Sequence, residues 1–526
     1  MIDEIIEGAA IYDGLAMRPF TTDVGIVGER IALIGDLAGR DAYRRGAARG
    51  HALAPGFIDT HSHSDELWLA DGRCVGKIRQ GVTTEIGGNC GTSVAPLRGL
   101  ARERKVEAAR SVGVDATWRD LADFFASVES AGVALNVATL VGLGTTRRGV
   151  AGDADGRLDD AARAAQLALV REGIEHGALG VSSGLSYVPS RYADEDELVA
   201  CARTAREAGM PRYVSHIRSE SDALLAAVEE ALAIGQAAET SVHISHHKAA
   251  GKKYWGTVHA TLAAIARARQ RGLAASADVY PYTALWTGLE SLLPEDALVG
   301  GREATLARLA EPHSAAALAL RLDLDRDGAW HDVLISSVAS ERNAGLAGMR
   351  LDELAARWRL SPARATLRLL REERLAVEAI FFALHEDDVA TVLSAEFVSI
   401  GSDASARAFD GPTAVGLPHP RTFGCFPRVF GRFVRGRKTL ELGEAIRRMT
   451  SLPAEQFGLV DRGRIAPGAF ADLVLFDAAT IVDTATYERP YAYPRGIESV
   501  WVNGCAVVRD GAATGARPGR ALRGGR

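Results

Sequence analysis

The chain has 526 residues, of which 47% are hydrophobic and 24% are charged, as is usual for a soluble globular protein. A formal net charge of −6 and the lack of a long Lys/Arg run argue against a nucleic-acid partner. The five cysteines are too few for a disulfide framework and favour a reducing compartment. This length allows one large domain and a smaller one.

The first residues, "MIDEIIEGAAIYDG", are acidic and lack the basic segment and apolar stretch of a secretory signal peptide. The sequence contains no run of about 18 apolar residues, so we expect neither a membrane span nor a membrane partner. Together with the cysteine content, these features predict a cytoplasmic protein. The sequence carries no signal for an oligomeric state.

Both ends of the chain show short strands separated by turns, as in "DVGIVGERIALIGD" and "SVWVNGCAVVRDG". Neither end has enough apolar surface to fold comfortably alone, and chain termini often lie close together. We therefore expect residues 1–55 and 456–526 to pair as one small β-sandwich or β-barrel domain.

The middle of the chain, residues 56–455, alternates short β-rich runs with helical stretches such as Asp222–Glu239, for which Asp222 is a candidate N-cap. This alternation predicts an α/β fold of the (β/α)8, TIM-like barrel type, with an open sheet of six to eight strands as the alternative. Residues 285–350 break the rhythm and are expected to form an insertion, while "VEAIFFALH" is a ninth apolar run. The eight strand candidates are "GFIDTH", "GVTTEIGG", "ALNVATLVG", "ALGVSSG", "RYVSHI", "SVHISH", "AASADVY" and "FVSIGSD".

The first of these strands leads into "APGFIDTHSHSD" (residues 54–65). Side chains alternate between the two faces of a strand, so His61 and His63 are expected to share one face. Two imidazoles on one face can hold a metal ion.

Other metal-ligand side chains fall at the ends of the other strands, where a barrel of this kind places its chemistry. A mixture of imidazole, thiolate and carboxylate suits zinc. Alternation alone leaves open whether His246 or His247 faces the ion, because the two side chains point to opposite faces. The candidate ligands are His61, His63, Cys90, His216, His246 or His247, and Asp403.

Several longer stretches resemble the amidohydrolase superfamily and, within it, the N-acyl-D-amino-acid deacylase (D-aminoacylase) family. They span nearly the whole chain, and the motifs around Cys90, Tyr187 and Arg421 are much more specific than the pair of histidines. The matching stretches are "GFIDTHSHSD", "GVTTEIGGNCG", "LGVSSGLSYVP", "SHIRSE", "ISHHKAAG", "DVYPYTA", "IGSDA", "HPRTFGCFPRVFGRF" and "RGRIAPGAFADLVLFD".

The resemblance implies a tightly held zinc ion on Cys90, His216 and His246, with His246 preferred over His247. It also implies a second, weaker position on His61, His63 and Asp403. Cys90 would take the place of the carboxylated lysine that bridges two metals in many relatives.

Residue roles also follow from the resemblance. Zinc lowers the pKa of bound water from 15.7 to about 7, and Asp403 would accept the proton of that water and return it to the leaving amine. Tyr187 would stabilise the oxyanion, and Lys248 and Arg421 would bind the substrate carboxylate with Tyr280 or Tyr282.

Two departures from the family pattern lie close to these residues. Leu285-Trp286 stands where relatives usually carry Gly-Ser, which changes a wall of the pocket. The segment between Asp403 and "HPR" is also longer than expected.

We therefore expect a zinc-dependent amide hydrolase that converts small N-acyl-D-amino acids to a carboxylate and a free D-amino acid. One alternative is a cyclic-amide hydrolase, of dihydroorotase or hydantoinase type, or a deaminase of the same superfamily. Another is a non-catalytic binding protein on this scaffold.

Overall fold

The computed structural model describes residues 1–525, so Arg526, the last residue of the predicted range 456–526, lies outside it. The described chain has an α/β fold. Its strands are β1 (Ile2–Ile11), β2 (Phe20–Val27), β3 (Arg30–Gly35), β4 (Ala42–Ala47), β5 (Ala52–Pro55), β6 (Phe57–Asp59), β7 (Val82–Gly87), β8 (Asn136–Thr139), β9 (Val141–Gly142), β10 (Val181–Gly184), β11 (Arg212–His216), β12 (Ser241–Ile244), β13 (Ala275–Val279), β14 (Leu285–Gly288), β15 (Val333–Val338), β16 (Val377–Phe381), β17 (Val398–Ile400), β18 (Leu473–Phe476), β19 (Ile497–Val502), β20 (Cys505–Arg509) and β21 (Ala512–Ala513).

Most of the strands in the middle of the chain are separated by α-helices. Within residues 1–525, no helix combines the length and the apolar character that crossing a membrane requires. The helices are α1 (Leu67–Ala70), α2 (Val75–Ile78), α3 (Gly99–Ser111), α4 (Leu121–Ala131), α5 (Leu143–Ala151), α6 (Asp160–Glu175), α7 (Glu195–Glu207), α8 (Leu224–Ala238), α9 (Val258–Gln270), α10 (Glu295–Leu298), α11 (Gly301–Ala310), α12 (Pro312–Arg326), α13 (Leu351–Trp358), α14 (Pro362–Glu372), α15 (Glu386–Ser394), α16 (Arg421–Arg428), α17 (Leu442–Met449) and α18 (Ser451–Phe457).

Most strands in the middle of the chain belong to two parallel sheets. One sheet has the order β6-β7-β8, and a second has the order β9-β10-β11-β12-β13-β17. Only Leu140 separates β8 from β9, so the two sheets share one continuous segment. Beyond β6 and β17, a parallel bridge joins Ser62 to Ala404, and the amide of Asp403 donates to the carbonyl of His61 at 2.8 Å. The first and last of these strands therefore meet.

The structure has a strand in each of the eight predicted β-rich runs. The ninth apolar run, "VEAIFFALH", forms β16, which pairs antiparallel with β14 and β15 in a separate three-stranded sheet. This sheet and helices α10–α14 enclose a second hydrophobic core that extends from Leu289 to Phe381. The insertion therefore reaches beyond its predicted end near residue 350, because β16 completes its sheet.

The two ends of the chain build one mixed sheet of nine strands. β18 pairs antiparallel with β5, which brings the C-terminal strands beside the N-terminal ones. A small apolar cluster covers this sheet and includes Ile11, Val24 and Trp501.

The predicted N-cap of helix α8 is wrong by one residue. The helix begins at Leu224 with Ala223 at the N-cap, and no side chain caps it. Asp222 instead accepts a hydrogen bond from the amide of Ala223 within the preceding turn. The local composition indicates a turn before the helix but does not specify which residue is the first of the helix.

A fully buried ionic cluster lies under the ends of β6 and β17. Nζ of Lys77 is 2.6 Å from Oδ2 of Asp59 and 2.9 Å from Oε1 of Glu85. The same ammonium donates to Oγ of Ser402 at 2.7 Å, and the amide of Ser402 donates to Asp59 at 2.8 Å. Burial alone would lower the pKa of Lys77, but Asp59 and Glu85 raise it above its usual value, so the lysine is charged. The cluster fixes the segment that leads into Asp403.

We predict that Lys77→Met lowers the free energy of unfolding by about 3–5 kcal/mol, because two buried carboxylates lose their cation. Denaturant unfolding monitored by circular dichroism measures this change. Lys252→Met is the control, since the Lys252–Asp332 ion pair is largely exposed and should contribute no more than about 1 kcal/mol. Equal stability of both variants would show that the cluster does not stabilise the fold.

Candidate metal centre and substrate site

The segment after β6 directs its side chains alternately to two sides. Nε2 of His63 is 3.1 Å from Oδ1 of Asp403, and Nε2 of His61 is 3.7 Å from the same oxygen. Ser62 and Ser64 point the other way and both donate to Glu85, at 2.7 and 2.8 Å. The two histidines therefore approach one carboxylate, as strand alternation indicates.

Cys90 follows β7 and lies between two histidines. Its Sγ is 3.3 Å from Nε2 of His61 and 3.4 Å from Nε2 of His246. Burial would raise the pKa of the Cys90 thiol, but His61 and His246 bring it well below its usual value. A thiolate here is a strong ligand for a soft or borderline metal ion.

The structure distinguishes between His246 and His247. His247 is buried away from Cys90, with its Nε2 2.8 Å from Oγ1 of Thr261, and burial lowers its pKa to about 4. His246 has a left-handed backbone, with φ of 34°, just beyond the end of β12. This turn ends the strand alternation and aims His246, rather than His247, at Cys90.

His216 ends β11 and lies next to His246, with the two ring centroids 4.5 Å apart. Its Nε2 is 2.8 Å from Oγ of Ser186. Glu220 approaches His246 from the same side, with Oε1 3.0 Å from Nδ1, and Lys248 pairs with that carboxylate. His216 therefore belongs to the ligand cluster through His246.

Three overlapping sets have potential ligand atoms within 4.8 Å of one another: His61, Cys90 and His246; His61, His63 and Asp403; and His216, Glu220 and His246. A thiolate, several imidazoles and a carboxylate in one buried cluster are the ligand chemistry that zinc prefers. The residues therefore fit a zinc ion.

Cys90, His246 and Asp403 each have a positive φ, of 52°, 34° and 50° respectively. Such conformations are uncommon for residues with a side chain and cost of order 1–3 kcal/mol each. Gly184 permits the close approach near Cys90, because a Cβ at position 184 would lie 2.1 Å from the Cys90 carbonyl oxygen. Tertiary packing, rather than local preference, therefore fixes the directions of these three side chains.

A cationic corner lies beside the histidine cluster. Arg421, at the start of α16, is 1% exposed, and its Nη2 is 3.0 Å from Oδ2 of Asp403. Its Nε and Nη1, like the buried hydroxyl of Tyr280, have no hydrogen-bond partner among residues 1–525. The guanidinium carbon of Arg421 lies 4.4 Å from the centre of the Tyr280 ring, and the ammonium of Lys248 lies 5.7 Å from the same centre. Unpaired donors and positive charge thus converge here.

Burial would raise the pKa of the Asp403 carboxyl, but Arg421 and the nearby histidines hold it well below its usual range. Asp403 is therefore a carboxylate at neutral pH.

The two tyrosines of "YPY" differ in their surroundings. The hydroxyl of Tyr282 lies 3.5 Å from the carbonyl oxygen of Pro420 and 3.4 Å from Oδ2 of Asp483. Its ring is also covered by Arg428, whose guanidinium carbon is 4.4 Å from the ring centre. Tyr280, with its free hydroxyl beside Arg421, is the better placed of the two to meet an anion.

Tyr187 follows β10, and its ring centre lies 4.8 Å from that of His216. Its hydroxyl is 3.2 Å from Oγ1 of Thr287 on β14. The next residue toward the N-terminus is Trp286, and its carbonyl accepts from Arg421 at 3.4 Å. Strand β14 therefore contacts both Tyr187 and Arg421 at the site.

Sequence reasoning missed two carboxylates at the site, the partly exposed Glu220 and the buried Asp278. Glu220 contacts His246, and Asp278 contacts His61 and His243. Both lie in quoted motifs, "SHIRSE" and "DVYPYTA", and Asp278 is near the end of a strand, where the ligand search could have found it. Their distances to the histidines depend on the fold and have no signature in the sequence.

Comparison with known proteins agrees with this geometry. Residues 47–508 match the model of the Amidohydrolase family. An N-acyl-D-glutamate deacylase of Alcaligenes xylosoxydans xylosoxydans is 38% identical over 99% of this chain and 96% of its own. A D-aminoacylase of the same organism is 35% identical over 99% and 97%. The crystal structure of an N-acyl-D-glutamate deacylase from Bordetella bronchiseptica, complexed with zinc and a phosphonate inhibitor, has a TM-score of 0.85 and 34% identity over 99% of both chains.

The fold and the ligand cluster define a metal-dependent hydrolase, and the chain belongs to the amidohydrolase family. Within that family it groups with the N-acyl-D-amino-acid deacylases, which it matches along nearly its full length.

We predict that His246→Ala greatly reduces zinc content, whereas His247→Ala retains it, because of these two histidines His246 is the one whose imidazole approaches Cys90. Metal analysis of both purified variants after dialysis measures this difference. His247 is buried, so its loss should appear instead as a lower melting temperature. Zinc loss in the His247→Ala variant alone would show that His247, and not His246, is the metal ligand.

Proposed function

We propose that this protein hydrolyses the amide bond of N-acyl-D-amino acids, giving a carboxylate and a free D-amino acid, with zinc held at the strand-end cluster. The observation that carries the proposal is the meeting of Cys90, His61 and His246 beside Asp403 and the unpaired donors of Arg421. Full-length similarity to deacylases of this class supports the same reaction.

Cys90, His216 and His246 would hold the tightly bound ion, and His61, His63 and Asp403 a second, weaker one. His61 contacts both sets, since its Nε2 faces Cys90 as well as Asp403. When bound, zinc makes water acidic enough to supply hydroxide near neutral pH and polarises the amide carbonyl.

Asp403 acts first as general base and then as general acid. Its carboxylate is ionised and lies between His63 and Arg421, at the edge of the cluster where water would attack. It takes a proton from the attacking water and transfers it to the amine as the amide bond breaks. An amine is a poor leaving group unless it is protonated, so this transfer is required.

The α-carboxylate of the substrate binds at the cationic corner. Arg421 offers two unpaired N–H groups, Tyr280 offers its hydroxyl, and Lys248 adds positive charge near the same ring. Buried donors without partners favour an anion, because binding it satisfies groups that are otherwise unpaired. Tyr282 has a supporting role here, since its hydroxyl already lies near Pro420 and Asp483.

Tyr187 stabilises the oxygen that becomes negatively charged during the attack. Its ring packs near His216, and Thr287 hydrogen-bonds to its hydroxyl, so the phenol is held over the cluster. Donors placed in advance at a developing oxyanion contribute strongly to catalysis.

The architecture that we propose for this chemistry is a (β/α)8 barrel of residues 56–455 with the insertion described above. The parallel order from β6 to β17 and the Ser62–Ala404 bridge support closure of the barrel. Residues 1–55 and 456–526 would form the small β domain, supported by the pairing of β5 with β18. The five free cysteines fit a reducing, cytoplasmic environment.

The rival functions are a cyclic-amide hydrolase or deaminase and a binding protein without activity. The deacylases that match this chain act on linear amides by name, and the cationic corner suits the free carboxylate of such a substrate. A binding protein would not need the strained ligand conformations at Cys90, His246 and Asp403.

Paired N-acetyl-D- and N-acetyl-L-amino acids, assayed with zinc titration, test the function. We expect hydrolysis of the D-forms only, and Asp403→Asn should lower kcat by about 10²–10⁴-fold while zinc remains bound at the Cys90 cluster. Hydantoins and aminopurines serve as controls for the rival reactions. Inactivity of the zinc-loaded wild type on every acyl amide would refute the proposal.

We predict that Tyr280→Phe raises KM for N-acetyl-D-amino acids roughly tenfold with little change in kcat, because one hydrogen bond to the carboxylate is lost. Tyr282→Phe is the matched comparison and should raise KM much less, because the Tyr282 hydroxyl already lies near Pro420 and Asp483. C-terminally amidated substrates should not respond to either substitution. A larger effect at Tyr282 than at Tyr280 would place the carboxylate elsewhere.

A further inference from the structure

Asp278, near the end of β13, contacts two of the predicted metal ligands. Its side chain is fully buried, and its Oδ2 lies 3.4 Å from Nδ1 of His61 and 2.8 Å from Nε2 of His243. Its Oδ1 accepts a hydrogen bond from the backbone amide of His246 at 2.9 Å. One carboxylate therefore connects the segment after β6, strand β12 and the turn after β12.

His243 lies on the opposite side of this carboxylate from His61. Its Nδ1 is 2.8 Å from Oγ of Ser276, and its ring packs against Phe457 at 5.1 Å. Both of its ring nitrogens are thus engaged, which fixes the plane of the imidazole. None of these contacts belongs to the catalytic roles described above.

We propose that Asp278 is a positioning residue for the metal centre, which orients the His61 ring and stabilises the turn at His246, and that His243 holds Asp278 in place. This inference rests on the proposed zinc site but not on the identity of the substrate.

The first part of the argument concerns His61. A carboxylate beside Nδ1 keeps the proton on that nitrogen, which leaves the lone pair of Nε2 facing Cys90 and Asp403. Carboxylate–histidine–metal arrangements of this kind set the tautomer and orientation of a ligand. Gly401 allows the approach, since a Cβ there would lie 2.7 Å from both Oδ1 of Asp278 and Cβ of His61.

The second part concerns the choice between His246 and His247. If the strand alternation continued, the side chain of His247, and not that of His246, would point to the same side as the side chain of His243. Asp278 binds both amides of the turn instead: its Oδ1 accepts from His246, and its backbone carbonyl accepts from His247 at 2.7 Å. These two bonds stabilise the left-handed conformation of His246, which directs its imidazole to Cys90.

The test compares Asp278→Asn with wild type by competition for zinc against a chelator, without substrate. Asparagine keeps one acceptor for the His246 amide but turns an NH₂ group toward Nδ1 of His61 and Nε2 of His243. We expect zinc affinity to fall 10–100-fold, with altered visible absorption bands in the cobalt(II)-substituted protein. Affinity within twofold of wild type with an unchanged cobalt spectrum would overturn the proposal.

Two substitutions, His243→Gln and His243→Leu, test whether His243 holds Asp278 in place. Gln keeps a donor at the position of Nε2 and should retain zinc affinity within about threefold, whereas Leu removes the donor and should lower affinity about tenfold. The same affinity loss in both variants, or none in the Leu variant, would show that His243 does not act through its hydrogen bond to Asp278.

Asp472→Asn is the control for general destabilisation. Asp472 is also a buried carboxylate, which pairs with Arg462 and accepts from the amide of Asn503 at 2.7 Å, in the sheet formed by the chain ends. It should lower the melting temperature and leave zinc affinity unchanged. If Asp472→Asn lost as much zinc affinity as Asp278→Asn, the effect of Asp278→Asn would reflect general destabilisation and not positioning of the metal ligands. If zinc-bound wild type hydrolysed no acyl amide, the proposed function would fail, and the affinity comparison would still decide the role of Asp278.

Discussion

The close approach of the Cys90 sulfur to the Nε2 atoms of His61 and His246, at 3.3 and 3.4 Å, is the contact on which the site depends. It joins residues that follow three different strands, β6, β7 and β12, so it exists only if the carboxyl ends of those strands converge. The thiolate and the imidazoles also stabilise one another electrostatically, which offsets part of the cost of burying a charge.

Several other buried charges surround this contact, and each has a partner. Lys77 neutralises Asp59 and Glu85 under the strand ends, Arg421 faces Asp403, and Lys248 faces Glu220. A buried charge without a partner would cost several kcal/mol, so these pairs determine where each side chain lies. The paired network leaves unpaired donors of Arg421 beside Tyr280, and we propose that the carboxylate of a substrate binds there.

The insertion contributes to the site although it folds around its own core. Strand β14 places Thr287 against Tyr187 and the carbonyl of Trp286 against Arg421. Tyr187, which we propose stabilises the oxyanion, and Arg421, which we propose binds the substrate carboxylate, are therefore both in contact with the same short strand. Substitutions in β14 would therefore reach Tyr187 and Arg421 without changing any of the proposed metal ligands.

The sequence by itself determined the strand positions, the class of ligand chemistry and the family. Period-two runs such as "GFIDTH" and "SVHISH" mark strands because the alternation of buried faces is a local property. It did not determine the end of the insertion or the presence of Asp278 and Glu220 at the site, and strand alternation left His246 and His247 as alternatives, with only the family resemblance in favour of His246. Only the tertiary structure decided these features, because they depend on backbone turns with positive φ and on contacts between residues far apart in the chain, such as Asp278 with His61. Local patterns carry no information about such contacts, whereas packing around a shared centre fixes them.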